Sequence, residues 1–242
     1  MDMSKPPHIK PCGDAALVIE YGDTVDAALN RRVLALDAYL AKHPVAGISE
    51  TVPTYRSLLV HYDPLRLDYA DLSAALLQAA ALSGSDSATG TRWRIPVVYG
   101  GEYGVDLAAI ATRHQMSETE VIRRHSAAIY RVYMLGFMPG FAYLGGLDPA
   151  LATPRRDDPR LETPAGTISI GGVQAGVQCL AAPSGWHLLG RTPVRTYQPG
   201  REPMFLVEPG DEVTFAPIAA ALFAGLEARA AAGEIIAEKV RP

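Results

Sequence analysis

No stretch of this chain approaches the ~18 consecutive apolar residues that a membrane-spanning helix needs. The opening MDMSKPPHIKPCGD has no apolar core of the kind a secretory leader carries. Cysteine is scarce: Cys12 and Cys179 stand alone, with no CxxC spacing. That argues against a disulfide framework or a zinc site, and two unpaired thiols suit a reducing, cytoplasmic setting. An excess of positive charge is missing as well. The 22 Lys and Arg face 26 Asp and Glu, a net charge of −4, which is not the footprint of a nucleic-acid binder. Also absent are GxxxxGK[ST], GxGxxG after a strand, HExxH and GxSxG. Neither a metal site nor a serine hydrolase can be argued from such a chain. The expectation is a cytoplasmic protein with no metal ligands and no nucleic-acid or membrane partner.

What is there begins with length. The 242 residues suffice for one large domain or two modest ones, each with a real core. The first part reads as a small α/β unit. ALVIEY (residues 16–21) is a strand after the turn residues Gly13 and Asp14. From Asp26 the period becomes helical, with Leu29, Val33, Leu36 and Leu40 on one face. A strand near Ile48 to Val52, the strand SLLVHY (57–62) and a helix carrying Leu72, Leu76 and Ala80 complete the unit. SGSDSATGT (83–91) is small, polar and non-periodic, as linkers are. The expected organisation is a domain over 1–84, a linker over 85–91 and a second domain over 92–242.

After RIPVVY (94–99) come two short helices. The first holds Leu107, Ile110 and Ala111. The second opens on Ser117 to Glu120, a capping box in which each side chain bonds the other's backbone amide, and turns Val121, Ile122 and His125 inward. From Tyr130 short apolar runs (RVYML, TISI, GVQCLA, HLLG, FLV, EVTFA) alternate with Gly and Pro turns, the rhythm of a β-barrel or sandwich. The alanine-rich tail, Ala219 to Val240, is expected to be helical and weakened at Gly233.

Four segments of this second part are unusual. LGFMPGFAYLGGLDP (135–149) sets Phe137, Phe141 and Tyr143 among four glycines and two prolines. Its aromatics either plug one end of a barrel or line a ligand pocket. PRRDDPRLETPAG (154–166) holds Arg155, Arg156 and Arg160. These arginines either pair within the loop with Asp157, Asp158 and Glu162, or are aimed by the prolines at a carboxylate or phosphate. TISIGGVQAG (167–176) is a plain hairpin or an anion-binding nest around Gly171 and Gly172, flanked by Ser169 and Gln174. PSGWHLLGRTP (183–193) brings Trp186, which as a tryptophan is more often core than contact, and Arg191 and Thr192. His125 and His187 have the pKa range of acid–base groups, although a histidine on an apolar helix face is more often a hydrogen-bonded core residue.

In this order GFMPGFAYLGGL, PRRDDPR, PAGTISIGG, GWHLLGRTP and PGDEVTF resemble the family of the 5-oxoprolinase B subunit. CGDAALVIEYG and GISETVPTYRSLLVHYDP resemble its amino-terminal half, so the resemblance covers nearly the whole chain. It implies an α+β protein, a ferredoxin-like α/β domain followed by a cyclophilin-like β-barrel domain. It implies partners, the homologous-fold C subunit and the A subunit of 5-oxoprolinase, and a small lactam or amide substrate opened with ATP, which arrives with Mg²⁺. On this resemblance Arg156, Arg160 and His125 are expected as catalytic groups. Phe137, Pro139, Gly140, Phe141, Tyr143, Arg155, Ser169, Gly171, Gly172, Gln174, Trp186, Arg191 and Thr192 are expected to bind substrate or nucleotide. The same family includes a histidine-kinase inhibitor and part of urea amidolyase, so inhibition of a kinase and urea- or allophanate-type amide metabolism are the alternatives. Two departures stand out. Where the family usually has a tyrosine after the glycine turn the chain reads Gln178-Cys179, and its usual Pro-Gly-Gly-Trp is Pro183-Ser184-Gly185-Trp186.

Overall fold

A computed structural model describes residues 6–84 and 90–240. The chain divides into two compact units, Met1–Thr89 and Gly90–Pro242. Of the expected 85–91 linker, residues 85–89 lie outside the described residues.

The first unit runs β1 (His8–Pro11), β2 (Ala16–Glu20), α1 (Ala27–Lys42), β3 (Ile48–Pro53), β4 (Ser57–Tyr62) and α2 (Tyr69–Leu82). Its sheet has the order β1-β2-β4-β3, and every pair is antiparallel. From β2 onward this is the split βαβ arrangement of ferredoxin-like domains, with β1 in the place of the last edge strand. β1 is short and polar, and its sequence carries no strand signal. Leu58, Val60 and Tyr62 alternate into the core with Leu17 and Ile19 of β2, as the pleat requires. The stripe Leu29, Val33, Leu36 and Leu40 of α1 is buried, as its spacing predicts, and Leu72 and Leu76 of α2 join it. Asp26 starts α1 by accepting from the amides of Ala28 (2.7 Å) and Leu29 (3.1 Å), which satisfies donors the helix cannot.

The second unit comprises β5 (Arg92–Tyr99), α3 (Leu107–Arg113), α4 (Glu118–Ala127), β6 (Tyr130–Leu135), β7 (Ala142–Gly145), β8 (Arg160–Thr163), β9 (Thr167–Gly171), β10 (Gln174–Val177), β11 (Ala182–Ser184), β12 (His187–Arg191), β13 (Glu212–Pro217), α5 (Phe223–Ala231) and β14 (Glu238–Val240). Seven strands, in the order β12-β9-β10-β7-β6-β13-β5, close on themselves where Gly190 and Arg191 of β12 pair with Tyr99 and Val98 of β5. The interior is packed with alternate residues of each strand, among them Ile95, Val97, Val132, Leu144, Ile168, Ile170, Ala175, Val177, Leu189 and Val213. β5 and β13 are parallel, whereas the other barrel pairs are antiparallel. α3 packs on β12 and α4 on β13. β8 and β11 form a separate two-stranded ribbon. The expected α+β chain, a small α/β unit before a barrel, is what forms. No helix of the described residues is long and apolar enough to cross a membrane.

Several local expectations are overturned. Ser117 does accept from the amide of Glu120 (3.1 Å), but the Glu120 carboxylate turns to Arg123 and Arg124 instead of completing the capping box. The tail is not one helix. α5 stops at a left-handed Gly233 (φ 97°), and the chain then adds β14 to β5, because backbone pairing beside an open stretch of β5 outweighs alanine's helix propensity. Gln178 and Cys179 lie beyond β10, and FLV (205–207) is a bridge at Phe205 followed by the buried Leu206 and Val207 rather than a strand.

Barrel closure depends on bare backbone at one place. A Cβ added at Gly190 would lie 2.4 Å from the Val98 carbonyl oxygen. Gly190→Ala is therefore expected to destabilise the protein by about 1–3 kcal/mol through forced separation of β12 and β5. The α5 residue Gly225 meets nothing within 4 Å, and Gly225→Ala should be neutral or slightly stabilising. Urea unfolding midpoints of the two variants test the contrast.

Candidate functional site

Side chains that alternate out of the barrel build a second surface. Ile168 and Ile170 point into the core, so their β9 neighbours Ser169 and Gly171 face outward, as do Gly176 of β10 and Tyr143 of β7. Gly176 sits opposite both Tyr143 and Ser169. A Cβ on Gly171 would come 2.7 Å from the Trp186 ring, and one on Gly176 would come 2.9 Å from Phe141 and 3.1 Å from Trp186. Glycine is needed there because two aromatic rings lie directly on the backbone. Phe141 meets Trp186 edge-on at 6.0 Å and Phe137 edge-on at 5.9 Å, and Tyr143 packs 4.7 Å from Phe141. These are favourable quadrupole geometries.

The loop before β7 closes on itself through Gly136 N–H to Phe141 O (3.2 Å) and Phe141 N–H to Met138 O (3.2 Å). Within it Phe137 takes φ 67°, a left-handed conformation that costs a non-glycine residue on the order of 1 kcal/mol or more, and the residue is 65% exposed. The strained backbone presents an aromatic side chain at a rim.

The arginine loop forms the facing wall. It is tied down by Arg156 N–H to Gly185 O (2.7 Å) and by His187 Nε2 at 2.9 Å from Pro154 O. A cavity of about 330 Å³ lies between the walls. Phe137, Phe141, Tyr143 and Trp186 line one side, Arg155, Arg156 and Pro159 the other, and Pro183, Ser184 and Gly185 complete it. The Arg155 guanidinium lies 5.7 Å over the Trp186 ring, within cation–π range. Among the described residues it has no carboxylate partner. Burial raises the pKa of Tyr143 against the opposing charge of Arg155, so this phenol stays protonated.

The in-loop pairing of the arginines with Asp157, Asp158 and Glu162 is not what forms. Arg160 Nη2 donates to Asp106 Oδ1 at 2.7 Å, and Arg156 Nη1 stands 3.5 Å from the same oxygen. Asp106 carries no sequence signal, because an acidic residue at the start of a helix is ordinarily read as a cap. Burial pushes its pKa up, but hydrogen bonds from Arg160 and the Leu188 amide, with the charges of Arg160 and Arg156, hold it below the usual carboxylate range.

The remaining expected residues lie apart from this cavity. Thr192 lines a second hollow of about 230 Å³ together with Gly166, Cys179 and Tyr197 among others, whereas Pro139, Gly140 and Arg191 are outside its lining and lie against Cys179, Tyr197 and Glu227. There Thr196 Oγ1 donates to Gly140 O (2.7 Å), Arg191 Nε donates to Ala165 O (3.1 Å), and Arg191 Nη2 lies 3.5 Å from Glu227. Gly172 exchanges backbone bonds with Thr153, its own N–H at 2.6 Å from Thr153 O. The glycine turn is thus a hairpin tied to a neighbour, and that amide is not available to an anion. Ser169 is buried outside the cavity lining, and Gln174 starts β10.

His125 is also elsewhere. It is fully buried, stacked on Phe215 at 4.9 Å, with the Tyr99 hydroxyl 2.8 Å from Nδ1. Burial raises the Tyr99 pKa far above its ordinary value, so the phenol beside the ring stays protonated. Burial lowers the His125 pKa to about 3. A neutral ring sealed in the core cannot exchange protons with a substrate, so the catalytic role expected for it does not fit this geometry.

Known proteins share this chain's sequence and architecture. The family model of the carboxyltransferase domain, subdomain C and D, matches residues 7–207. The B subunit of 5-oxoprolinase from Bacillus subtilis (strain 168) is 37% identical over 221 residues, 87% of this chain and 92% of that one. Its namesake in Escherichia coli O157:H7 is 39% identical over 209 residues, 85% and 93% of the two chains. The chain belongs to the 5-oxoprolinase B-subunit family. Its fold recurs in the crystal structure of Kluyveromyces lactis urea carboxylase, with a TM-score of 0.82 over 98% of this chain and 24% of that one, at 19% identity. A conserved uncharacterized protein from Pyrococcus horikoshii is 44% identical, with a TM-score of 0.54, covering 89% of this chain and all of that one.

Of the departures from the 5-oxoprolinase B-subunit pattern, one lines the cavity. Ser184 does so, and its hydroxyl accepts from the Trp186 amide at 3.1 Å. Gln178 is buried outside the lining, and its Nε2 donates to Leu180 O and to the Thr163 hydroxyl, both at 2.8 Å. It staples β8 to the segment before β11. Cys179 is buried with its thiol donating to Pro139 O, and burial raises its pKa.

His125 generates a pH prediction. The unfolded chain takes up a proton below the ordinary histidine pKa of 6.5, while the folded one resists until about 3. Stability is therefore fully present above 6.5 and is lost as pH falls below it, by about 1.4 kcal/mol per pH unit. Between pH 6.5 and 5.5, above the main carboxylate range, His125→Phe should flatten the fall of stability with pH by up to one proton. Equal slopes for variant and wild type in chemical unfolding would contradict the buried neutral ring.

Proposed function

We propose that this chain is the B subunit of an ATP-dependent 5-oxoprolinase, acting with a C subunit and an A subunit to open 5-oxo-L-proline to L-glutamate. Its relatives' names support membership of such a hydrolase complex. The observation that carries the reading to the residues is a cavity with aromatic walls and two arginines.

5-Oxoproline is a small, flat lactam with one carboxylate. A cavity of about 330 Å³ is at the small end for ligand sites, large enough for such a ring and too small to enclose a whole nucleotide. Trp186, Phe141 and Tyr143 offer faces and edges to the ring. Arg155, with its guanidinium free of a carboxylate, offers a charge-assisted fork to the anion. Aromatic walls also exclude water, which strengthens that ion pair.

The chemistry explains why the chain is assigned an obligate place in a larger complex. A lactam carbonyl is a poor electrophile, and phosphorylating its oxygen creates a leaving group. That step needs a nucleotide, and the following attack needs an activated water. Among the described residues no carboxylate or histidine lines this cavity, and Tyr143 is held protonated, so the general base is assigned to another part of the complex. Arg156 supplies positive charge that can stabilise developing negative charge on the substrate. Arg160, held by Asp106, braces that wall. ATP then binds on a partner or at a boundary shared with it. A resident Mg²⁺ does not fit the cavity, whose charged groups are arginines, and among the described residues no group of three or more His, Cys, Asp or Glu could hold a metal. The metal is assigned to the nucleotide.

Urea- or allophanate-type metabolism is supported by a likeness to a urea amidolyase of Lachancea kluyveri at 24% identity over 247 residues that make up 13% of that protein. It is the weaker reading, and nothing in the structure favours kinase inhibition.

The deciding assay is glutamate release from 5-oxoproline by the assembled complex, with ATP and each component withheld in turn. ATP-dependent release that disappears without this chain is expected. Release that persists without it would remove the assignment. In the same assay Arg155→Ala should raise KM about tenfold, equivalent to about 1.4 kcal/mol of lost carboxylate binding, with kcat changed far less. An unchanged KM would place the carboxylate elsewhere.

A further inference from the structure

Asp106 occupies the residue before α3, where an aspartate ordinarily caps its helix, yet its side chain makes no capping bond. Its carboxylate is turned the other way. Oδ2 accepts the Leu188 amide at 2.8 Å, and Oδ1 accepts Arg160 Nη2 at 2.7 Å with Arg156 Nη1 at 3.5 Å. The Asp106 amide in turn donates to Leu188 O at 3.1 Å. Asp106 is thus clasped by both backbone groups of one residue on β12, two positions after Trp186, and its side chain is only 7% exposed.

A buried carboxylate held this firmly is a fixed reference point. One negative charge faces two guanidinium groups, which leaves the cluster net positive. Arg160 commits its short bond to Asp106, and its Nη1 is buried without a hydrogen-bond partner among the described residues. Arg156 stands farther from Asp106, lines the cavity, and is also fixed through Nε to Asp158 O (3.2 Å). The geometry divides the labour: Arg160 completes the anchor, and Arg156 keeps donors for a ligand.

We propose that Asp106 is a positioning residue for an anionic lactam substrate. Through Arg156 it fixes the charged wall, and through Leu188 it registers that wall against the strand that follows Trp186. The identity of the substrate rests on the function proposed above, whereas the positioning itself does not.

Two readouts separate these. The first is the guanidinium Nε–H resonances of Arg156 and Arg160 in the full-length ¹⁵N-labelled chain. Both should exchange slowly with water in wild type, and Asp106→Asn should speed exchange at both at least tenfold while Trp93 and Trp186 indole signals stay dispersed, showing a folded chain. The second is the kinetics of the assembled complex. Asp106→Asn should raise KM for 5-oxoproline about tenfold and lower kcat less, Asp106→Glu should recover part of it, and in an Arg156→Ala background Asp106→Asn should add less than about twofold. Such non-additivity distinguishes action through Arg156 from general loosening. Unchanged guanidinium exchange, an unchanged KM, or full additivity with Arg156→Ala would each overturn the proposal. If Asp106→Asn does not fold, Arg160→Lys, which keeps the charge and loses the fork, must reproduce the faster Arg156 exchange, and its failure to do so would overturn the proposal equally. If the wild-type complex releases no glutamate, the substrate reading fails and the exchange experiment still decides the role of Asp106.

Discussion

The closure of β12 against β5 is the constraint on which the site depends. Two strands far apart in sequence meet with glycine at the contact, where a Cβ on Gly190 would run into the Val98 carbonyl. Beside it, a Cβ on Gly104 would lie 2.0 Å from Leu189 O. This close approach presses the start of α3 onto β12 and brings Asp106 to Leu188. The same strand holds His187 against the arginine loop and follows directly from Trp186. Barrel closure and site assembly are therefore one packing event, not two.

The cavity lies on the outside of the barrel, which has a physical consequence. A packed interior of branched aliphatic residues leaves no room for a ligand, so function is carried by the outward side of the pleat and by loops pinned across it. Glycines 171 and 176 lower the floor by the thickness of a side chain, and aromatic rings fill most of the space so released. What remains is small, flat-walled and cationic at one side. Precision comes from the rigid strands, and the strain at Phe137 is tolerated because the barrel beneath it over-determines the loop.

Legibility differed from feature to feature, for reasons that can be named. The helical stripe of α1 and the alternation in β4 were readable because a local period and a buried face are the same fact. The aromatic loop and the arginine loop were readable as unusual, and the structure brings Phe137, Phe141 and Tyr143 of the one and Arg155 and Arg156 of the other to one cavity with Trp186. Pro139, Gly140, Arg191 and Thr192 carried equally unusual sequence signals, yet none of them lines that cavity, and only Thr192 lines the second hollow. His125 showed only that it faced inward, and the acid–base possibility vanished once its burial was known. β1, with its polar HIKP, had no signal because an edge strand can be held by backbone pairing alone.

By itself the sequence determined what is local or what is inherited: element periods, the Ser117 cap of α4, the absence of membrane-length apolar runs, and an ordered set of motifs specific to the 5-oxoprolinase B-subunit family. Only the tertiary structure decided which carboxylate the loop arginines meet. Asp157, Asp158 and Glu162 are nearer in sequence, yet Asp106, more than fifty residues away from Arg160, holds it. The reason is that a surface carboxylate beside an arginine gains little over water, whereas one already buried by barrel closure must be paired or suffer a large desolvation penalty. Burial is a property of the closed barrel, and no window of sequence contains it.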